Sequence, residues 1–588
     1  MKQSNYNLYP SINLTDTQIW SGWPAIAEHL LSDAKIRDNK RKVIVIECYT
    51  GILYDDLLAG LSFLKPDLLI DSRLAFKPES EIRDLTYPDV TNDPIFGRMT
   101  RMDIADFMDR DKLSDIRYRM SDAGYRMLDS GSGIVVVFGP GASIIARKCD
   151  LLVYADMARW EIQQRMRRGA VTGLGVDDHG LDFSEQFKRG YFVDWRVCDR
   201  LKEELFASVD YFLDTNQARE PKLMGGSDYR QGLKLTAGRP FRVVPYFDPA
   251  PWGGQWMKSV CGLDPEPENY GWCFDCVPEE NSLLFSVDGI RFETPSINLV
   301  FFESTNLLGR SVLERFGQEF PIRFDFLDTM GGGNLSLQVH PTADYIRDQF
   351  GMQYTQDESY YLLDAGDDAT VYLGIRDGVD PDRMITALES ANTIGQPFDT
   401  EQFINIWPAK KHDHFLIPAG TVHCSGKNAM VLEISATPYI FTFKLWDWAR
   451  LGLDGKPRPI NIGHGSKVIR WERRTGWVKK QLVNRVAEVA RGDGWREEQT
   501  GLHELEFLET RRHWFSKPVL HDTRGTVNVL NLVEGREAII TSPTGKFEPF
   551  VVHYAETFIV PAAVGEYVIA PYGESEGKEI GTIRAYVR

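Results

Sequence analysis

The sequence lacks the features of membrane, secreted and nucleic-acid-binding proteins. No stretch approaches the about 18 uncharged apolar residues that cross a bilayer, and the N-terminal MKQSNYNLYPS has neither the basic nor the apolar segment of a secretion signal. Acidic residues outnumber basic ones by 84 to 67, and the resulting net charge of −17 repels phosphate backbones and anionic lipids. We therefore expect a cytoplasmic protein with a small-molecule partner, and no nucleic acid or membrane partner. A small anionic substrate stays compatible with this charge, and the oligomeric state stays open.

Cysteine is scarce. The seven cysteines are an odd number scattered along the chain, which excludes a disulfide framework and fits a reducing compartment. Cys273 and Cys276 form one CxxC pair, but no second pair follows at a zinc-knuckle spacing. We expect two small core residues there rather than a structural zinc site.

What is present indicates several domains, because 588 residues exceed the length that one core serves. The N-terminal part alternates short β-branched runs, Lys42–Glu47, Gly133–Phe138 and Asp150–Tyr154, with helical patterns such as Arg159–Arg168. This alternation predicts a doubly wound α/β domain with a parallel sheet.

After Phe241 the pattern changes to many short β-rich runs separated by Gly, Pro, Asn and Asp, with one long helical interval at Asp380–Asn405. Such a pattern predicts all-β barrels with helical insertions. The predicted organisation is an α/β domain at 1–222, a Gly-, Lys- and Pro-rich linker at 223–240, a metal-binding barrel at 241–468, a connecting segment at 469–505 that is irregular or helical, and a C-terminal barrel at 506–588.

The strongest functional signal is a set of metal-competent residues in the β-rich part. Gln338 and His340 are two residues apart on a strand and therefore point to the same side. Glu358 opens an apolar strand, and His423 follows the turn Pro-Ala-Gly-Thr-Val. Two imidazoles, a carboxylate and an amide oxygen suit zinc, with manganese, iron and nickel as rivals.

These segments carry a family resemblance. The matching stretches, in order, are Pro245-Tyr-Phe, Trp252-Gly-Gly254, Phe320-Pro-Ile, Leu-Gln338-Val-His340-Pro, Glu358-Ser-Tyr-Tyr-Leu-Leu-Asp-Ala, Ile-Pro-Ala-Gly-Thr-Val-His423, Leu432-Glu-Ile, Phe443-Lys-Leu-Trp-Asp447-Trp-Ala-Arg450 and Glu556-Thr-Phe-Ile-Val-Pro561-Ala. Residues from about 241 to 588 thereby resemble the class I mannose-6-phosphate isomerases, which are zinc-dependent cupins (jelly-roll barrels). The resemblance implies zinc on Gln338, His340, Glu358 and His423. It also implies interconversion of mannose 6-phosphate and fructose 6-phosphate through an enediol.

Three residues depart from the family pattern. Asp325 and Gln356 stand where the family usually has lysines, and Lys444 stands where it usually has an arginine. Such cations grip phosphate and steady developing negative charge, so their loss bears on the substrate. Arg323, on the same strand face as Asp325, could compensate; Lys427 and Lys410–Lys411 are further candidates for substrate binding.

The resemblance assigns Lys444 to stabilising the developing oxyanion. Glu433, His412 and His414 are candidates for the proton-transferring base. Glu433 is equally consistent with a solvated or salt-bridged strand carboxylate, and we expect both histidines at the surface. Two alternatives stay open: a metal-containing cupin that binds a sugar or sugar phosphate as a sensor without turnover, and an isomerase for a different sugar.

The N-terminal domain loosely resembles uridine-kinase-like P-loop proteins. Where such a protein has its phosphate loop, after Val43–Ile46, this chain offers Gly51 alone and no lysine. We therefore predict a degenerate kinase-like domain without ATP hydrolysis, acting as a ligand sensor or docking module. Arg165, Arg167 and Arg168 either contact an anion or form an ordinary basic helix face.

Overall fold

A computed structural model describes residues 4–33, 35, 41–127, 133–394, 397–438, 440–501 and 503–588. The chain divides into two compact units: one is formed by 11–234 and 282–302, and the other by 1–10, 235–281 and 303–588. The prediction of several sheet-rich domains with helices is confirmed. Within the described residues no helix is both long and apolar enough to cross a membrane.

The β-strands of the described residues follow in chain order: β1 (Ile12–Asn13), β2 (Ile19–Ser21), β3 (Arg41–Cys48), β4 (Leu68–Asp71), β5 (Gly133–Gly139), β6 (Leu151–Asp156), β7 (Tyr211–Asp214), β8 (Lys222–Gly225), β9 (Tyr246–Asp248), β10 (Trp272–Cys276), β11 (Ser282–Val287), β12 (Ile290–Pro295), β13 (Ile322–Asp328), β14 (Leu337–Val339), β15 (Glu358–Ala365), β16 (Thr370–Ile375), β17 (Ile404–Pro408), β18 (His414–Ile417), β19 (His423–Ser425), β20 (Ala429–Ala436), β21 (Phe443–Trp446), β22 (Ala487–Gly492), β23 (Trp495–Gly501), β24 (Leu508–Phe515), β25 (Val519–Asp522), β26 (Asn528–Glu534), β27 (Glu537–Thr541), β28 (Phe550–His553), β29 (Thr557–Val560), β30 (Glu566–Pro571) and β31 (Ile580–Val587).

The α-helices of the same residues are α1 (Trp23–Ser32), α2 (Tyr54–Leu61), α3 (Glu79–Val90), α4 (Arg110–Met127), α5 (Ala142–Ile145), α6 (Arg159–Arg167), α7 (Phe183–Arg189), α8 (Trp195–Leu205), α9 (Gly226–Thr236), α10 (Trp256–Val260), α11 (Ile297–Phe302), α12 (Ser304–Leu308), α13 (Arg310–Phe316), α14 (Ala343–Phe350), α15 (Pro381–Ile394), α16 (Thr400–Phe403), α17 (Ile462–Val468) and α18 (Thr475–Gln481).

The unit that contains residues 11–234 is built on a sheet in the order β2-β8-β7-β6-β3-β5-β4. The strands from β7 to β4 in that order pair in parallel, and β8 and β2 join antiparallel. The runs of Val and Ile in β3 and β5 are buried because both faces of such a sheet are covered. A small sheet, β1-β11-β12, belongs to the same unit.

A buried polar network follows the carboxyl end of β6. The ammonium group of Lys202 donates to both oxygens of Asp156, at 2.8 and 2.9 Å, and to Oδ1 of Asn298 at 3.1 Å. Asn298 in turn donates to Asp156 and to the hydroxyl of Tyr229. The three donors of the lysine therefore have three acceptors, which is what allows a buried ion pair to persist.

Among the residues that the structure describes, the other unit contains four further sheets. Two of them, β18-β15-β20-β13-β10-β9 and β17-β16-β19-β14-β21, carry the predicted metal ligands. The remaining two, β22-β23-β24-β31-β26-β29 and β25-β30-β27-β28, are built from residues 487–588 and enclose an apolar core around Phe515, Leu532 and Phe558.

Two segments predicted as connections contain regular secondary structure. Residues 223–240 contain most of β8 and all of α9, in which Tyr229 and Leu233, four residues apart, are buried. Two of the glycines that suggested a linker, Gly225 and Gly226, lie where β8 ends and α9 begins. The segment 469–505 contains α18 and also β22 and β23, and these two strands extend the C-terminal sheet.

Candidate metal centre

The four predicted ligands come from the sheets β18-β15-β20-β13-β10-β9 and β17-β16-β19-β14-β21. Gln338 lies on β14 and pairs across the sheet with His423, the first residue of β19. His340 directly follows β14, and Glu358 opens β15 in the other sheet. The alternation of side chains along β14 places Gln338 and His340 on one face, as their spacing predicted.

The side chains of three of these residues converge in the interior. Nε2 of His340 lies 3.1 Å from Oε2 of Glu358, and Nε2 of His423 lies 2.7 Å from Oε1 of the same carboxylate. The exposed fractions of His340, Glu358 and His423 are 1%, 2% and 0%. Their ligand atoms lie within 4.8 Å of one another. The amide of Gln338 is 3.2 Å from Nε2 of His423.

The backbone fixes the tautomer of both imidazoles. Nδ1 of His340 lies 3.2 Å from the carbonyl of Phe441, and Nδ1 of His423 lies 2.9 Å from the carbonyl of Thr421. A carbonyl can only accept, so each Nδ1 carries the proton and donates it. A neutral ring then presents the lone pair of its Nε2 toward the Glu358 carboxylate, where a metal ion can accept it. A backbone carbonyl behind the imidazole is the usual arrangement for a metal-binding histidine.

This donor set fits a zinc ion. Two imidazole nitrogens face the oxygens of one ionised carboxylate in a buried site, at 3.1 and 2.7 Å. Such an arrangement is costly unless a cation lies between them. Two imidazoles and one carboxylate are typical zinc ligands, and Gln338 can turn its amide oxygen inward, since the two ends of an amide are interchangeable by rotation.

The electrostatics point the same way. Burial acts to raise the pKa of Glu358, but the neighbouring imidazoles of His340 and His423 outweigh it and hold that pKa well below its usual range. Burial acts to lower the pKa of His340, and the Glu358 carboxylate reverses the direction. The site therefore keeps an ionised carboxylate where a cation would bind.

A second polar group shares the face of the sheet with Glu358. The register of β13, β20 and β15 sets Arg323 opposite Ser435 and Asp325 opposite Glu433, and sets Ser435 opposite Glu358. Arg323 donates to Ser435 at 3.0 Å and to Glu433, and forms an ion pair of 2.8 Å with Asp325. All of these side chains are buried. The Arg323 guanidinium is therefore already held by two carboxylates.

Gln356 joins the two groups. Its amide nitrogen donates to Oε2 of Glu358 at 3.0 Å and approaches Oε1 of Glu433 at 3.4 Å. A neutral amide in this place connects the carboxylates without compensating their charge.

Two carboxyl groups here titrate near neutrality. Burial and the nearby Glu358 carboxylate raise the pKa of Glu433 to about 8, against the lowering effect of Arg323. Burial raises the pKa of Asp325 to about 7, again opposed by Arg323. A carboxyl group with a pKa in this range can both give and accept a proton near neutral pH.

Lys444 lies on the same sheet face as the ligands. It is on β21 directly opposite Gln338, which itself pairs with His423, so these residues form one row across three strands. Burial and the charges of Arg458 and Arg450 lower the pKa of Lys444 to about 7, while Asp447 opposes the shift. Both arginines are held by Asp447, at 2.8 and 2.6 Å.

Three other candidates lie elsewhere. Lys427 is exposed and forms an ion pair of 2.9 Å with Asp368. His412 is partly buried and contacts the Tyr361 hydroxyl at 2.9 Å and Glu534. Lys411 also pairs with Glu534.

The surface prediction for His414 is wrong. Its side chain has no solvent exposure, and burial lowers its pKa to about 3. His414 pairs with Tyr361 on β15, three residues from Glu358 and therefore on the opposite face of the sheet. The polar neighbours at 410–413 suggested a surface, but only that turn is polar.

The arginines at positions 165, 167 and 168, predicted as a possible anion site, contact other residues of their own unit. Arg165 is buried and donates to the carbonyls of Gly51, Thr215 and Asn216. Arg168 pairs with Glu161, and Arg167 lies over the ring of Phe183. These contacts favour a structural role over anion binding. Cys273 and Cys276 are both buried, as expected of core residues.

Sequence reasoning missed residues that support the site. Ser435 was within reach, because it follows Glu433 by two residues on a strand. Arg458 forms an ion pair with Asp447 and donates to the hydroxyl of Ser336. The loop that brings Arg458 to Asp447 has no local sequence pattern that would predict this contact.

Comparison with known proteins bears on both parts of the chain. Residues 22–238 match a family described as a domain of unknown function (DUF8485). A stretch of 230 residues, 39% of this chain, is 25% identical to mannose-6-phosphate isomerase ManA of Bacillus subtilis and covers 68% of it. This stretch resembles mannose-6-phosphate isomerases. The enzyme of that name from Streptococcus mutans is 26% identical over 220 residues, 37% of this chain and 64% of its own. The chain thus spans about two thirds of these relatives.

The solved structure of the Bacillus subtilis mannose 6-phosphate isomerase aligns with 59% of this chain and all of its own, at 19% identity and a TM-score of 0.48.

Proposed function

We propose that the protein is a metal-dependent aldose–ketose isomerase with a cupin-type barrel, acting on mannose 6-phosphate and fructose 6-phosphate. The observation that carries the proposal is the buried His340–Glu358–His423 group with the buried Glu433 beside it, the amide of Gln356 lying between the two carboxyl groups. The similarity to mannose-6-phosphate isomerases supports the choice of sugar.

The protein's own residues divide the chemistry between them. Gln338, His340, Glu358 and His423 would hold the metal. When bound, a divalent zinc ion supplies Lewis acidity that orients and polarises sugar oxygens. Glu433 takes the proton from one carbon of the C1–C2 pair and returns it to the other, for which a pKa near the working pH is favourable. Arg323 holds the Glu433 carboxylate in place.

Lys444 has the role of stabilising negative charge on the sugar oxygens, because it lies in the same row as Gln338 and His423. The neighbouring Arg450 and Arg458 give this end of the row a positive potential. We place the phosphate group of the substrate at this end, away from Asp325 and Glu433.

The test is turnover by the full-length, zinc-loaded protein with mannose 6-phosphate, followed as fructose 6-phosphate. We expect conversion that disappears in Glu358→Gln and persists in the surface variant Glu401→Gln. Conversion no faster in the wild type than in Glu358→Gln would refute the proposal for this sugar.

A second candidate is a sugar or sugar-phosphate sensor without turnover. The observation in its favour is that Arg323 is bound by Asp325 and Glu433 and so offers no free charge to a phosphate. Calorimetric binding of mannose 6-phosphate to the zinc-loaded protein without any conversion would favour the sensor, as would binding of a free sugar in its place.

A further inference from the structure

The turn before His423 is held from three directions. This turn, Pro418–Thr421, carries the carbonyl that accepts from Nδ1 of His423. Its Gly420 N–H donates to the carbonyl of His340 at 2.9 Å. Its Ala419 N–H donates to Oδ1 of Asp357, the neighbour of Glu358, at 2.8 Å. One short turn is therefore bonded to the vicinity of all three convergent ligands.

A single guanidinium closes this turn. Nη1 of Arg473 lies 2.6 Å from the carbonyl of Pro418 and 2.9 Å from that of Ala419, and it also reaches the hydroxyl of Thr421. Arg473 is 5% exposed, so these charge-assisted hydrogen bonds form out of water, where they are strong and directional. Arg473 comes from the segment between α17 and α18, which the sequence suggested was only a connection.

The backbone of the same segment follows the turn closely. The N–H of Arg470 donates to the carbonyl of Gly420 at 2.9 Å. Gly420 has a φ of +89°, and a Cβ there would lie 2.7 Å from Cγ of Arg470 and 2.9 Å from the carbonyl of Val468. The turn and the segment are thus fitted at backbone distance, and Arg473 is the side chain that fixes the carbonyls of the turn.

We propose that Arg473 is a positioning residue for the metal centre: by fixing Pro418–Thr421 it sets the orientation of the Thr421 carbonyl and hence of the His423 imidazole. Arg473 is bonded to this turn rather than to a ligand side chain. Partners behind a metal ligand commonly set metal affinity, and their loss costs about 10- to 100-fold. The inference rests on the metal centre and is tested by metal binding, whereas the proposed function is tested by turnover. Either one can therefore fail while the other stands.

The experiment compares full-length Arg473→Met with Arg474→Met. Arg474 is the adjacent arginine, and its guanidinium donates to the carbonyl of Val379 rather than to the turn. Zinc affinity is measured by competition with a chelating dye, and the ligand field by the visible spectrum of the cobalt-substituted protein. We expect zinc binding about 10- to 100-fold weaker and an altered cobalt spectrum in Arg473→Met, with neither change in Arg474→Met.

A rescue experiment separates positioning from general damage. In Arg473→Ala, added methylguanidinium should restore zinc affinity and the wild-type cobalt spectrum, because it returns the donors that Nη1 of Arg473 supplies to the turn. If Arg473→Met fails to fold, Thr421→Val decides, since it removes the hydroxyl that Arg473 reaches, together with the hydrogen bond from that hydroxyl to the Pro418 carbonyl. A folded Arg473→Met with wild-type affinity and spectrum overturns the proposal. So does an equal loss in Arg474→Met, or a folded Thr421→Val that binds zinc as the wild type does.

Discussion

The two units each bury a charged network, and the networks differ in one respect. In the network after β6, the donors of Lys202 match the acceptors of Asp156 and Asn298. Around Glu358, by contrast, the Nε2 atoms of His340 and His423 both face one carboxylate, at 3.1 and 2.7 Å. The first network is complete with protein atoms alone, whereas the second is completed by a cation. The balance of donors and acceptors, rather than the amount of buried charge, distinguishes a site from a structural ion pair.

The largest expected effect is on the unbalanced network. Glu358→Gln removes the charge that makes the group a cation site, so zinc binding should weaken by at least about a hundredfold. Chelator should then lower the melting temperature of the wild type and leave that of Glu358→Gln unchanged, because only a bound ion stabilises by mass action. Metal analysis and thermal melting with and without chelator check this. Equal zinc content in both proteins would contradict the view that the group around Glu358 is a cation site.

The next effect separates chemistry from metal binding within the same network. Glu433→Gln keeps the hydrogen bonds around Arg323 but cannot transfer a proton. We expect kcat to fall by about 10²- to 10⁴-fold while zinc content stays at the wild-type level. Steady-state kinetics with parallel metal analysis is the measurement. A variant that retains kcat would assign the proton transfer to another group.

The balanced network should respond in stability alone. Lys202→Met leaves Asp156 buried without its counter-ion, which typically costs about 3–5 kcal/mol. Urea unfolding of the full chain should show this loss in a transition of its own, with zinc content and isomerase kinetics unchanged. The exposed Lys234→Met serves as the control, with a change within about 0.5 kcal/mol. A loss of zinc in Lys202→Met would contradict the view that the two networks act separately.

A smaller and pH-dependent effect is expected at His414. Its pKa is lowered to about 3 in the folded chain from a usual value of 6.5, so the unfolded chain binds more protons between these two pH values. Stability therefore falls as the pH drops from 6.5 toward 3, by about 3 kcal/mol at pH 4. His414→Leu should remove this part of the acid sensitivity. Urea unfolding at pH 7 and pH 4 measures it, with the exposed His179→Leu as control; identical pH slopes in wild type and His414→Leu would exclude the burial effect.

The smallest effect is expected at Lys427. Its ion pair with Asp368 is half exposed and far weaker than a buried one. Lys427→Ala should leave zinc affinity, KM and kcat within about twofold of the wild type. A marked rise in KM would return Lys427 to the substrate site, against the position that the structure gives it.

Local patterns predicted the parts of the site that depend on strand periodicity. Gln338 with His340, and Arg323 with Asp325, share faces because they are two residues apart, and the structure places them so. The same rule did not reveal that Arg323 forms an ion pair with Glu433, because Glu433 lies on another strand. Arg458 and Arg473 were out of reach for a similar reason: they lie in connections outside the strands, and loop geometry has no period. His414 was misjudged because the polar turn at 410–413 ends where a buried strand begins.

The hydrogen bonds from Arg473 to the turn Pro418–Thr421 have a consequence for the synthesis of the protein. All four ligands lie between residues 338 and 423, whereas the guanidinium that fixes the turn comes from 52 residues beyond Thr421. A nascent chain that has emerged only through β20 already carries every ligand but not the residue that orients His423. Tight metal loading should therefore wait until Arg473 has left the ribosome, and a shorter nascent chain should bind zinc more weakly.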